Sequence, residues 1–232
     1  MGIDTDRQVL VASGVVKSYP SRPEAVIALD HVDLTVGAGE FLAVTGVSGS
    51  GKTSLLNCLS GLDRIDEGSV MLAGVDLATA DDKTRTDLRG STMGFVFQAP
   101  NLLSVFSALE NVALPMILGG TAPADARRDA RAALERVGLG HRADQMPGEM
   151  SGGEQQRVAI ARAFVKKPRI VWADEPTGNL DSASAEVVMD LLRELHLDGA
   201  TLILVTHDLG LASRTDRQIE MRDGRVIGAH VG

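Results

Sequence analysis

The sequence holds a single cysteine, Cys58, among 232 residues, so no disulfide can close within the chain. Cys58 sits in an apolar stretch, where a small buried thiol is the ordinary reading, and the count suits a reducing cytoplasm. Positive charge is also scarce. With 23 Lys and Arg against 31 Asp and Glu, a net charge of −8 argues against a broad nucleic-acid footprint. No apolar run approaches the roughly 20 residues that span a bilayer. The start, "MGIDTDRQVLVASG", lacks a basic region followed by a long apolar core, and the expectation is of a chain that does not itself cross a membrane. Internal repeats, low-complexity tracts and long linkers are missing. His31, His141, His196 and His230 show no spacing that suggests a metal cluster. What remains, 44% hydrophobic and 23% charged residues, is the make-up of one globular domain with a sizeable core.

Strand signals come before helix signals. "HVDLTV" places Val32, Leu34 and Val36 on one face of a half-buried strand, and "FLAVTG" is a continuous apolar run that suits a buried one. "GVSGSGKTSLLNCLSGL" follows as a glycine-rich loop entering a helix through Leu55, Leu56 and Leu59. "GSVMLAGVDL" reads as a hairpin. From Ala108 to Gly140 the pattern is helical, with the arginines of "ADARRDARAALERVGL" opposite small apolar residues and therefore on a solvated face. "RIVWADEP", with Trp172 as core, and "TLILVTHD" are two further buried strands, each followed by helical sequence, and a hairpin through Asp223 and Gly224 closes the chain. Strands alternating with helices around an apolar set imply an α/β fold with a mostly parallel sheet.

"GVSGSGKT", Gly46 to Thr53, satisfies G-x-x-x-x-G-K-[ST] after a buried strand and at the opening of a helix. Gly46, Gly49 and Gly51 let the backbone fold around phosphates. Lys52 would reach the β- and γ-phosphates, and Thr53 would ligate Mg²⁺. Ser48, Ser50 and Ser54 belong to the same expected nucleotide site. The strand "IVWADE" delivers Asp174 and Glu175 at its C-terminal end, where ligands of open α/β sheets bind. Adjacent strand residues point to opposite sides, so Asp174 is expected to hold Mg²⁺ and Glu175 to polarise the attacking water.

"MSGGEQQRVAIARAF", from Met150, begins with a capping box, Ser151 and Glu154, yet leaves Gly152 and Gly153 in its first turn, where glycine weakens a helix. For SGG alone a tight turn is the plainer explanation. With a phosphate loop elsewhere in the chain, a bare helix N-terminus also suits a phosphate that must approach the backbone closely.

In motif order and over nearly its entire length the sequence resembles the nucleotide-binding domain of the ABC (ATP-binding cassette) transporter family. The glycine loop corresponds to Walker A, "RIVWADE" to Walker B, and "MSGGE" to the signature usually written LSGGQ. Tyr19 in "VVKSYP" resembles the aromatic that stacks on adenine, and Gln98 in "FVFQ" the Q-loop glutamine that senses Mg²⁺ and water and touches the membrane partner. Asp181 in "GNLD" resembles the D-loop aspartate, and His207 in "VTHD" the switch histidine at the γ-phosphate. The resemblance implies a P-loop NTPase with an antiparallel β subdomain and a helical signature subdomain at roughly 99–165, all in one domain, 1–232. It implies ATP and Mg²⁺ as cofactors and a second copy of the chain as partner, with Ser151, Gly152 and Gly153 of each copy closing over the ATP of the other. It also implies a separate transmembrane permease, met through the surface around Gln98, Leu102, Leu103 and Phe106, and a cytoplasmic position on the inner face of the membrane.

Two departures stand out: Met150 replaces the usual leucine and Glu154 the usual glutamine, the latter adding negative charge near the expected nucleotide. Glutamate there, with "GFVFQAPNLLSVFSALENVALP" and "ADEPTGNLDS", resembles the lipoprotein-releasing, macrolide-efflux and cell-division group. The leading expectation is an ATPase that powers a permease of efflux or extraction type. The alternative is a regulatory ATPase of the cell-division kind that moves no substrate. A chromosome or repair ATPase ranks third, since no heptad run separates Lys52 from Ser151.

Overall fold

The computed structural model describes residues 8–21 and 24–231; residues 1–7, half of the opening read for a leader, lie outside the described residues. Strand β1 (Gln8–Tyr19) pairs antiparallel with β2 (Val26–Gly37) and with β4 (Glu67–Leu72), which turns back into the short β5 (Val75–Asp76). The spatial order is β2-β1-β4-β5. Val32, Leu34 and Val36 are buried on one face of β2, as their alternation predicts.

The larger sheet runs β10-β9-β3-β8-β7-β6. Its parallel part comprises β3 (Phe41–Thr45), β6 (Met93–Phe97), β7 (Ile170–Asp174), β8 (Leu202–Val205) and β9 (Arg217–Arg222). Only β10 (Arg225–Val231) is antiparallel, returning from β9 through Asp223 and Gly224 at φ 48° and 75°, the left-handed pair that a two-residue hairpin needs. Successive residues of the sheet serve opposite cores. Ile203, Val205, Ile170 and Trp172 join the antiparallel sheet and helix α1 (Lys52–Leu59), whereas Leu202, Leu204, Val171 and Ala173 join the helices on the other face.

Those helices are α3 (Ala108–Leu118), α4 (Pro123–Arg136), α5 (Gly152–Phe164) and α6 (Ser182–Leu197). On α4 the buried residues are Ala126, Ala130 and Leu134, and the arginines lie on the solvated face as expected. Among the elements that escape the sequence reading are a helix and a strand outside the parallel part of the larger sheet. Helix α2 (Asp82–Thr92) buries only Arg85 and Leu88, too few apolar residues to show a helical period, and rests on its Asp81 cap, whose carboxylate accepts the Thr84 N–H at 2.7 Å. Strand β1 carries several register shifts against β2, which break its alternation. A four-residue helix, α7 (Leu209–Ala212), precedes β9.

A candidate nucleotide site at the sheet edge

β3 ends at Thr45, and the chain then turns through Gly46, Gly49 and Gly51 at φ 145°, 80° and 103° before α1 begins. Two of these glycines are also sterically required. A Cβ on Gly46 would stand 2.3 Å from the Met221 carbonyl oxygen, and one on Gly51 would stand 2.4 Å from that of Ala28. The loop is thus wedged between β2 and β9, and its shape is fixed by tertiary packing. Lys52 Nζ donates to the carbonyls of Gly46 and Val47 at 2.7 and 2.9 Å, so the ammonium braces the loop from inside.

A cleft of about 520 Å³ opens beside the loop. It is lined by Ser48, Gly49, Gly51, Lys52, Thr53 and Ser54, and across from them by Gln98, Glu175 and His207. Ser50 lies behind the loop, its hydroxyl buried with no hydrogen-bond partner among the described residues. Residues far apart in sequence meet here because β6, β7 and β8 are neighbouring parallel strands whose C-terminal ends face the loop after β3.

At the floor of the cleft the Thr53 hydroxyl donates to Asp174 Oδ2 at 3.4 Å. Burial pushes the Asp174 carboxyl above the ordinary carboxylate range, and repulsion from Glu175 adds to it, against the Thr53 hydroxyl and Lys52. Its Oδ1 is buried and has no hydrogen-bond partner among the described residues, which is the condition of a carboxylate oxygen shaped to meet a cation. Gln98 Nε2 donates to Asn179 Oδ1 at 3.1 Å, which leaves the amide oxygen free of that bond. A hydroxyl, a carboxylate and an amide oxygen are the hard donors that Mg²⁺ prefers, so these residues fit that ion.

Glu175 corrects one expectation. It does not continue the alternation of β7, which ends at Asp174; its backbone is left-handed, φ 46°, held by its N–H donating to the Val205 carbonyl at 2.9 Å. Such a conformation costs a non-glycine residue about 1–3 kcal/mol and is found where surrounding structure imposes it. The two acids part company through this kink rather than through strand pleating. Glu175 Oε1 then lies 2.9 Å from Nδ1 of His207, whose ring is exposed.

Tyr19 does not line the cleft but sits beside it, at the end of β1. Its hydroxyl donates to Asp63 Oδ2 at 2.8 Å. Burial pushes the phenol up, and the Ser54 hydroxyl, on the rim of the cleft, pulls the other way. Lys17 Nζ stands 5.1 Å from the centre of the ring.

The capping box of α5 forms as the sequence predicts: Ser151 Oγ accepts the Glu154 N–H at 3.2 Å, and the Ser151 N–H donates to Glu154 Oε2 at 2.8 Å. Glu154 is further paired with Arg142 at 3.4 Å, so its negative charge is answered within the chain. The Ser151 N–H, against a smaller effect of burial, holds its carboxyl below the ordinary glutamate range. None of Ser151, Gly152 and Gly153 reaches the cleft of its own chain. The two glycines differ. A Cβ on Gly153 would press to 2.8 Å on Ser184 Oγ, whereas one on Gly152 would meet only Leu180 Cδ2, at an ordinary 3.8 Å. Asp181, the cap of α6, also stays outside the cleft and accepts the Ser184 N–H and hydroxyl at 2.9 and 2.7 Å.

On the expected partner surface, Leu102 packs against the helical core and Phe106 is half-buried, leaving Leu103 and Val105 exposed. The loop is rigid in its bonding. Buried Asn111 ties Leu103, Phe106 and Ser107, and Arg162 donates to the carbonyls of Pro100 and Asn101, both at 2.7 Å. Sequence reasoning missed Asn179 and Asp63, the partners of Gln98 and Tyr19; "GNLD" held the first in plain view, while nothing local marked the second. Among the described residues no helix is long and apolar enough to cross a membrane.

Comparisons with known proteins agree with this geometry. The profile of the family described as ABC transporter matches residues 29–178. The lipoprotein-releasing system ATP-binding protein LolD of Pseudomonas syringae pv. tomato is 49% identical over 226 residues, 97% of this chain and 100% of the relative. Among solved structures, a dimer of the bacterial ABC transporter cassette MJ0796 is similar with a TM-score of 0.88 at 40% identity, covering 96% of this chain and 98% of that one. A second dimeric MJ0796 structure, in a post-hydrolysis state bound to ADP and Pi, is similar with the same TM-score at 39% identity and the same coverage.

Proposed function

Because the chain belongs to the ABC transporter family and is an ATP-hydrolysing subunit, we propose that it works as one half of a dimer in which each ATP is held by the glycine loop of one copy and the Ser151–Gly153 turn of the other. One observation carries this reading. The cleft gathers the loop, Glu175, Gln98 and His207, with Asp174 bonded to Thr53 beneath it, while the first turn of α5, Ser151–Gly153, lies outside that cleft. An exposed helix start with a bare Gly152 suits the γ-phosphate of a facing copy, through its N–H groups and the helix dipole.

Within the composite site the chemistry is phosphoryl transfer to water, governed by positioning and charge. The loop N–H groups and Lys52 bind the β- and γ-phosphates, the ammonium exchanging its two loop carbonyls for phosphate oxygens. Thr53, Asp174 and Gln98 would hold Mg²⁺, which supplies charge neutralisation for the phosphates. Glu175 accepts the proton of the attacking water. His207, bonded to it at 2.9 Å, fixes the carboxylate and faces the γ-phosphate. Loss of that phosphate removes the charge gripped by both copies, and the dimer opens.

The work goes to a separate transmembrane partner at the inner face of the membrane, docked over Gln98, Leu103 and Val105. Lipoprotein release is the task that the likeness to LolD supports. The test is sizing of the Glu175→Gln protein with and without ATP. A dimer is expected with ATP, and a monomer in every nucleotide state would refute the reading. Ser151→Arg in the same background should bind ATP and remain monomeric.

A further inference from the structure

We propose that Asp63, anchored by Lys17, is a positioning residue that sets the ring of Tyr19 for the nucleobase; this rests on the reading of Tyr19 as the aromatic on which adenine stacks. Tyr19 is the last residue of β1, where a side chain held only at its backbone would be free to turn about χ1. Its far end is instead fixed, the hydroxyl donating to Asp63 Oδ2 at 2.8 Å. Asp63 is itself tied on every side. Oδ1 accepts the Arg64 N–H at 2.7 Å and Lys17 Nζ at 3.2 Å, and the Asp63 N–H donates to the Asn57 carbonyl at 3.0 Å.

Asn57 belongs to α1, whose first residues are Lys52 and Thr53. The tyrosine ring is therefore referenced, through Asp63, to the far end of the same helix that starts at the phosphate loop. Base platform and phosphate cradle share one rigid element eight residues long. Lys17 adds a second constraint. Its ammonium, only slightly exposed and also held by the Arg64 carbonyl at 2.7 Å, stands 5.1 Å from the ring centre. One face of the ring is taken by this cation, and the base stacks on the other. Neither residue is in the sequence signature of the loop, and neither touches the phosphates.

Two ligands separate base from phosphate recognition: ATP and inorganic tripolyphosphate, each titrated calorimetrically into the full chain. Tyr19→Phe removes the hydroxyl, and Asp63→Ala removes its acceptor together with the bonds from Lys17 and the Arg64 N–H. Each should weaken ATP about three- to tenfold, the value of one hydrogen bond, and leave tripolyphosphate unchanged. In turnover the loss should fall on KM rather than kcat. The double variant should lose less than the sum of the two singles, since both break the Tyr19–Asp63 bond. Asp63→Asn, which keeps an acceptor, should restore most of the ATP affinity. If Tyr19→Ala discriminates ATP from tripolyphosphate and Asp63→Ala does not, the proposal is overturned while the stacking reading stands. An equal loss of both ligands in Asp63→Ala overturns it too, as a general structural role would. If Tyr19→Ala itself leaves ATP unaffected, the stacking reading fails and takes the proposal with it.

Discussion

The two glycines at the start of α5 are chemically identical neighbours in sequence, and their surroundings predict opposite fates for the same substitution. Gly153→Ala places a methyl 2.8 Å from Ser184 Oγ and 3.0 Å from Ser184 Cβ. Ser184 cannot step aside, because its N–H and hydroxyl are both engaged by Asp181, the cap of α6. Forcing one carbon into a packed contact costs about 1–3 kcal/mol. The helix-propensity gain of alanine offsets at most about 1 kcal/mol, and less in a first turn. The net loss of about 1–2 kcal/mol should lower Tm by about 2–4 °C for each kcal/mol in a chain of this size. Gly152→Ala meets only Leu180 Cδ2 at 3.8 Å, so the fold should be unharmed or slightly stabilised. Under the proposed arrangement in trans, its penalty should fall on ATP-dependent dimerisation and turnover, because the methyl would stand in the path of a phosphate held by the facing copy. Thermal denaturation and ATPase assays on both variants separate the two effects. Ser184→Gly should rescue the stability of Gly153→Ala, whereas Ser184→Ala, which leaves Cβ in place, should rescue it only partly. A Gly152→Ala protein with wild-type turnover would falsify the assignment of that bare position to a ligand in trans.

Glu175→Gln keeps the shape of the side chain but cannot take a proton, and turnover should fall by about 10²- to 10⁴-fold with ATP binding retained; near-normal phosphate release would remove Glu175 from the role. Burial pushes the Cys58 thiol up to about 12, so thiol reagents at neutral pH should leave the native protein unmodified and label one site only after unfolding. Rapid labelling of the native chain would contradict the packing of α1. Asp66, Glu154 and Asp181 sit below their ordinary carboxylate values, first because the backbone N–H groups of Ser18, Ser151 and Ser184 donate to them. Lowered folded values mean that the native state binds fewer protons than the unfolded one. Their contribution to stability is therefore complete above the ordinary range near 4 and is lost as the pH falls through the lowered values. Urea midpoints should stay level from about pH 7 to 5 and drop steeply below about 4; a flat profile through that window would discount these bonds.

Much of this protein was legible because the relevant chemistry is local. The loop Gly46–Thr53 carries its own turn residues and lies between a buried strand and a helix. The Ser151–Glu154 capping box needs only four residues to form, and the hairpin at Asp223 and Gly224 needs two. Val32, Leu34 and Val36 betray their face by alternation alone. Where local signals were thin, the reading stopped: α2 rests on a single cap and one buried leucine, and β1 has its alternation broken by shifted register.

Other decisions belong to packing and could not be read along the chain. The left-handed turn at Glu175 is imposed by Val205 on the neighbouring strand, and it brings the carboxylate to His207, 32 positions away. Tyr19 is fixed by Asp63 across 44 positions. Gly153 is glycine because α6 passes against it, while Gly152 is left open, a distinction that two identical letters cannot hold. Turns, caps and periods depend on torsion angles and neighbours a few residues apart, which the order of residues states directly. Contacts between distant residues exist only once parallel strands and helices have been brought to van der Waals distance, and only then do their carboxylates, hydroxyls and missing side chains acquire a role.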